Sequence, residues 1–197
     1  MIEKAKLLFS NHNGIMRTKD LQDAGISYRQ LKKLIDEGYI DKIRYGYYQW
    51  QNEQSFSEIF AISSLFPNAI LCRDSALMYY GYTDRTPENW HIAVDSKDSR
   101  TKFKLDYIKI KVHYIEQNRL TIGVTDGIID DITIKIYDRE RTICDCLRYA
   151  NSMDAEIYST AIKRYVQDKS HNIGRLMQYA KLLEVEKKVR RTIAVWL

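Results

Sequence analysis

Hydrophobic positions in the first fifty residues recur with a helical period. Ile2, Ala5, Leu8 and Phe9 mark one face of a first helix, and Asn13-Gly14 breaks it. Thr18 is placed to cap a second, short helix with Leu21 and Ala24 inward and Gly25 closing it. Ser27 followed by Gln30 has the spacing of a capping box and opens a third helix. Its inward stripe is predicted to be Tyr28, Leu31, Leu34 and Ile35, and Gly38 ends it. Gly25-Ile26 separates helices two and three, a turn short enough for helix-turn-helix geometry. Ile40 and Ile43 flank Asp41-Lys42, and Arg44-Tyr45-Gly46-Tyr47-Tyr48 runs on to Trp50. That reads as a hairpin with a basic, aromatic tip, and the whole order predicts a winged helix-turn-helix.

Gln51-Asn52-Glu53-Gln54 is a polar junction, which places one domain at 1–52 and a second at 53–197. Beyond it, Ser55 with Glu58 suggests another capping box and a helix running to Pro67. Ala69–Cys72 is a short apolar run, expected to be a buried strand. Asp74 or Ser75 is expected to cap a helix that passes Leu77 and Tyr80 and ends at Gly81. Trp90–Val94 reads as a strand. From Tyr107 to Ile115 the pattern alternates, with Ile108, Ile110, Val112 and Tyr114 on one face and Lys109, Lys111 and His113 on the other. Ile132, Ile134 and Ile136 repeat the alternation, and Asp126-Gly127 suggests the turn of a hairpin over 122–137. From Tyr137 the period is helical again, with helices expected from Asp138 and over 154–168, 172–183 and 184–195. The predicted class is α+β: an N-terminal winged helix-turn-helix, then a mixed domain with a small, mostly antiparallel sheet and a helical tail.

Composition narrows the class. Hydrophobic residues make up 45%, and only 8 Gly and 2 Pro are present, which excludes a disordered or low-complexity chain. No apolar run approaches the roughly 18 residues of a membrane span, and the acid and lysines of MIEKAK do not fit a signal peptide. Three cysteines fit a reducing compartment, so a cytoplasmic protein without a membrane partner is expected. The net charge is +5, unevenly spread. Residues 1–50 hold 9 Lys/Arg against 6 acids, and residues 160–191 hold 9 against 3. On the third helix Arg29, Gln30, Lys32 and Lys33 project away from the inward stripe. Arg and Gln pair bidentately with base edges and Lys suits phosphate, while Lys42 and Arg44 on the hairpin can reach the backbone or minor groove. In the tail, Lys163, Arg164, Arg175, Lys181, Lys187, Lys188, Arg190 and Arg191 form a candidate second surface for DNA or an acidic partner.

Catalytic patterns are weak. Cys144-x-Cys146 lies within a predicted helix, where side chains two apart do not share a face, and Cys72 reads as core. Asp130-Asp131 and Asp95-x-x-Asp98 are the acidic groups that a metal-dependent nuclease would use, yet both fall in predicted turns. There is no phosphate-binding glycine loop, and His12, His91, His113 and His171 are scattered. The expectation is a non-enzyme with no cofactor or metal. The alternative is a DNA-targeted nuclease or nucleotide-processing enzyme acting through Asp130 and Asp131.

The motifs GIMRTKDLQDAGISYRQLKKLIDEGYIDKIRYGYYQW, LCRDSALMYYGY, ENWHIAV, IKVHYI and IYDRERTICDCLRYA, in this order, resemble the AbiEi-type antitoxins of type IV (abortive infection) toxin-antitoxin systems. The resemblance implies a winged helix-turn-helix that binds inverted repeats in the promoter DNA and represses its own operon. It implies a C-terminal domain that counters a cognate nucleotidyltransferase-like toxin, without requiring direct contact. Carried over by position, DNA contact falls on Thr18, Ser27, Tyr28, Arg29, Gln30, Lys32, Lys33, Lys42, Arg44 and Tyr45. No antitoxic residue maps onto the C-terminal domain.

Overall fold

The protein is described here by a computed structural model covering residues 1–12, 14–51, 57–105 and 108–193. It divides into two compact units, Met1–Leu65 and Phe66–Leu197. The Ser55 half of the second predicted capping box, most of the polar junction and Tyr107 lie outside the described residues.

In the N-terminal unit α1 (Ile2–Asn11), α2 (Thr18–Asp23) and α3 (Tyr28–Asp36) surround a core of Ala5, Phe9, Leu21, Ile26, Leu31, Leu34 and Trp50. Strands β1 (Ile15–Arg17), β2 (Ile40–Arg44) and β3 (Tyr47–Trp50) form an antiparallel sheet in the order β1-β3-β2. β1 is a strand that period-reading passes over, because three residues are too few to display alternation. α3 opens as expected: the Ser27 hydroxyl accepts from the Gln30 backbone N–H, and the Gln30 side chain accepts from the Ser27 backbone N–H. Ile26 before the cap and Leu31 four residues after it are both about fully buried, the arrangement of a hydrophobic staple. This corrects the predicted inward stripe. Ile26 fills the core position at the start of α3, so Tyr28 is turned out and is 69% exposed. Thr18 is likewise the first helical residue and not the cap; Arg17 stands at that position and caps nothing with its side chain. A further helix, α4 (Glu58–Leu65), buries Ile59, Ala61, Ile62 and Leu65.

The C-terminal unit carries a mixed five-stranded sheet in the order β6-β5-β4-β8-β7. Its strands are β4 (Ile70–Leu71), β5 (Trp90–Asp95), β6 (Ile110–Ile115), β7 (Val124–Ile129) and β8 (Ile132–Tyr137). The β4–β5 and β7–β8 ladders are antiparallel, and the β4–β8 and β5–β6 ladders are parallel. β4 is the central strand although only two residues long; Leu71 pairs with both Ile92 and Ile136 and is fully buried. The hairpin over 122–137 forms, but its turn is Asp130-Asp131, not Asp126-Gly127. Asp130 and Asp131 have φ of +51° and +62°, the left-handed pair of a two-residue type I′ loop. Gly127 instead sits within β7, where a Cβ would come within 3.0 Å of Ile136 and 3.1 Å of Tyr79. It is small for packing.

The helices of this unit are α5 (Arg73–Tyr79), α6 (Gln117–Leu120), α7 (Arg139–Tyr149), α8 (Ala155–Gln167), α9 (Ile173–Leu182) and α10 (Glu186–Thr192). α5 begins before Asp74 and Ser75, so neither caps it; Cys72 holds that position, and the Ser75 hydroxyl accepts from the His91 backbone N–H across to β5 at 2.8 Å. α7 is the centre of the unit: every residue from Glu140 to Leu147 is buried. Asp138 caps it, accepting from the Arg141 backbone N–H at 2.8 Å. Its charges are satisfied internally. Glu140 accepts from the Asn172 backbone N–H at 2.7 Å, and the Arg141 guanidinium bonds Asp145 and the carbonyls of Arg119 and Ile122. Asp154 and Asn172 cap α8 and α9 with side-chain acceptors.

Gly123, ahead of β7, packs directly against α7. Its φ is +75°, and a Cβ there would lie 2.5 Å from the Arg141 Cβ. Gly123→Ala is therefore expected to destabilise the C-terminal unit by about 2–4 kcal/mol, combining overpacking with left-handed strain. Urea unfolding checks this, and an unchanged midpoint would refute the close contact.

Candidate nucleic-acid interface

The elements of the N-terminal unit position two sets of polar side chains. On α3 the buried Leu31 and Leu34 fix one face inward, so Arg29, Lys32 and Lys33 stand exposed on the other. Arg29 and Lys32 make no ion pair or hydrogen bond among the described residues, and Lys33 lies 3.6 Å from Glu37 one turn on. Tyr28 is exposed beside Arg29 at the start of the helix. Gln30 and Ser27 are occupied differently. The Gln30 Oε1 accepts from both the Ser27 N–H and hydroxyl, at 2.9 and 3.0 Å, leaving its NH2 as the group able to donate to a base.

The wing is short. Arg44 pairs with Tyr47 in the antiparallel register, so Tyr45-Gly46 alone makes the turn, with Gly46 at φ +77°. Tyr45 is 92% exposed at its tip. The Lys42 ammonium lies 5.4 Å from the Tyr45 ring centroid and the Arg44 guanidinium 4.2 Å from that of Tyr47, so the strand cations are braced by aromatic faces. The Thr18 backbone N–H donates to the Gly46 carbonyl at 2.8 Å, which ties the start of α2 to the wing turn. Beside it Arg17 and Asp20 form a bidentate pair at 2.8 and 2.9 Å, and the hydrogen bond with its partner lowers the Asp20 pKa.

The structure divides the basic tail. Arg164 bonds Asp84 through two nitrogens and the Gly81 carbonyl at 2.9 Å. Lys188 donates to the carbonyls of Leu147 and Arg148 at the end of α7, and Arg190 pairs with Glu186 at 2.8 Å. Arg175 lies 3.9 Å from Asp138 and 3.8 Å from Glu140. Lys163, Lys181, Lys187 and Arg191 are exposed and make no ion pair among the described residues. Much of the charge in the tail holds the helices together.

The acidic groups considered for catalysis are turn residues. Asp130 and Asp131 form the hairpin loop, Asp95 accepts from the Lys97 backbone N–H at 2.8 Å, and Asp98 pairs with Lys102 at 3.1 Å. Burial pushes the Cys144 thiol up to about 12, and Cys72 and Cys146 are raised further. Among the described residues no cluster of His, Cys, Asp and Glu has metal-binding geometry, and no helix is long and apolar enough to cross a membrane.

A capped helix with a basic outer face, a short helix before it and a three-stranded sheet ending in a tight wing define a winged helix-turn-helix module. Residues 3–49 match the model of a family described as the AbiEi antitoxin transcriptional regulator, and the match supports the AbiEi-type antitoxin resemblance. The chain thus carries the regulator domain of that antitoxin family at its N-terminus. The crystal structure of the RV2827C protein from Mycobacterium tuberculosis shares the fold. It aligns with a TM-score of 0.65 at 13% identity over 92% of this chain and 76% of that one. No curated protein matches the sequence significantly.

Proposed function

We propose that this chain is a type IV antitoxin and autorepressor. Its N-terminal unit binds inverted repeats in the promoter of its own operon, and its C-terminal unit, 53–197 by the sequence boundary, counters a nucleotidyltransferase-like toxin without catalysing a reaction. The observation that carries the DNA reading is the outward face of α3, where Arg29 and Lys32 stand exposed and unpaired among the described residues beside Tyr28. Arg29 and the Gln30 amide are the base readers; Lys32, Lys33, Lys42 and Arg44 meet phosphate; Thr18, Ser27 and Tyr45 lie at the edges of the contact. A cytoplasmic location follows from a promoter target.

The test is binding to a duplex covering the region upstream of its own operon. Arg29→Ala with Lys32→Ala is expected to weaken it on the order of 100-fold and to reduce the slope of log K against log salt by about 2. Both side chains are exposed, so the thermal unfolding midpoint should stay within about 0.5 kcal/mol of the parent. Unaltered affinity and slope would remove α3 from the interface. Growth rescue of cells expressing the neighbouring toxin gene tests the antitoxin half separately.

A further inference from the structure

The C-terminal unit holds a polar cleft of about 360 Å³ between the end of β6, α6 and α7, bordered by Arg119, Arg141, Arg148, Asp145, Tyr114 and Tyr149. Its charge is not balanced. Asp145 is 5% exposed at its side chain and receives the Arg141 Nε at 3.1 Å. Arg119 pairs with Glu184 at 2.7 Å. Arg148 gives one nitrogen to the Leu183 carbonyl at 2.8 Å and has no carboxylate partner among the described residues. Arg73 lies over the Tyr149 ring, 3.7 Å from its centroid, and makes no hydrogen bond among the described residues. Its neighbour Asp74 turns instead to His91, with 3.8 Å between Oδ2 and Nε2. Burial pushes the Asp145 carboxyl up, while Arg141, Arg73 and Arg148 all act on it in the opposite direction. Three guanidinium groups therefore converge on one buried carboxylate, with Glu116 on the exposed rim.

Arg73 also stands in a left-handed backbone conformation, φ +47°, which an L side chain adopts at a cost of about 1–3 kcal/mol. The strain holds the guanidinium on Tyr149 without any hydrogen bond to compensate it. Surplus guanidinium in a concave site favours a multiply charged anion bound by charge-assisted hydrogen bonds. The volume exceeds that of a bare phosphate and lies in the range of small-ligand pockets, and two tyrosines supply apolar wall.

We propose that this cleft binds an organic phosphate of nucleotide size, held by Arg148 and Arg73 at its phosphates. It stands independently of the DNA reading, which uses the other unit.

Calorimetric titration of the full chain with ATP and, separately, with inorganic pyrophosphate tests it. Saturable ATP binding is expected, weakened about tenfold or more by Arg148→Gln and by Arg73→Gly. Glycine suits the left-handed position, so Arg73→Gly should fold at least as well as the parent by thermal unfolding, separating lost binding from lost structure. Three results would overturn the proposal: no saturable ATP binding, ATP affinity that neither variant alters, or pyrophosphate binding as tightly as ATP.

Discussion

Replacing Arg141 with Met should destabilise the C-terminal unit by about 3–5 kcal/mol. The side chain is 2% exposed and runs through the middle of the unit. Its guanidinium donates to Asp145 at 3.1 Å and to the carbonyls of Arg119 and Ile122 at 2.6 and 2.8 Å, and it lies 4.0 Å from the Tyr137 ring centroid. Met keeps the stem and the contact with Tyr137 but strands a buried carboxylate and two carbonyls. Removing one partner of a buried pair is the costly change; removing both is much milder. Arg141→Met combined with Asp145→Leu should therefore recover a large part of the loss. Urea unfolding of the single and double variants measures the difference. If the double variant is no more stable than Arg141→Met alone, the pair is not what holds α7 in place.

This network explains why the segment from Ile136 to Ala150 stood out in the sequence without declaring a chemistry. Its polar residues are there to be buried. Asp138 caps α7, Thr142 bonds back to the Tyr137 carbonyl at 3.4 Å, Glu140 closes the start of α9, and Arg141 ties α7 to the loop before β7. A linear pattern of charges at helical spacing reads as a solvated face, because burial is decided by what packs on the helix from elsewhere. The N-terminal unit was far more legible. Capping residues, Gly25, Gly38 and the Leu31/Leu34 pair are local signals, and the chain obeys them locally. The error at Tyr28 arose where tertiary competition entered: two apolar residues, Ile26 and Tyr28, flank the cap, and the core accepts the smaller.

The sheet of the C-terminal unit was legible strand by strand but not in its order. β4 has only two residues, yet it joins β5 to β8, and parallel pairing of Leu71 with Ile136 links residues too distant for any local pattern to couple. Asp130-Asp131 was also misread for a physical reason. Asp-Gly is the commoner hairpin signal, but Asp tolerates the left-handed region, and two consecutive Asp residues can make a type I′ turn while Gly127 is reserved for close packing. The candidate DNA-contact residues followed from sequence because they lie on the outward face of a single helix and its adjoining hairpin. The arginine cleft did not, because Arg73, Arg119, Arg141 and Arg148 meet only through the fold.

Acidification should weaken the C-terminal unit well before its carboxylates titrate. The alternation of β6 predicted an outward His113, and Lys111 on that face is exposed. His113 instead stacks beside His91 of β5, with ring centroids 5.1 Å apart, and the His113 Nε2 and His91 Nδ1 have no hydrogen-bond partner among the described residues. Burial, reinforced by Arg73, His91 and Lys111, pushes the His113 pKa down to about 3. Burial also lowers that of His91, although Asp74 opposes it. Both folded values lie below the unfolded value of about 6.5, so between them the unfolded chain takes up protons that the folded chain refuses. Stability is thus fully present above about pH 6.5 and declines as the pH falls below it, by up to about 1.4 kcal/mol per pH unit for each histidine. Working from pH 7.5 to 5 stays above the unfolded carboxylate range and isolates this effect. Over that interval His113 alone should contribute a loss on the order of 1–2 kcal/mol. His113→Leu removes the proton site and leaves an apolar side chain where the ring was already desolvated, so its unfolding free energy should fall less steeply with acid than that of the parent. Urea midpoints at several pH values measure both slopes, and equal slopes would mean that His113 is charged in the folded protein after all.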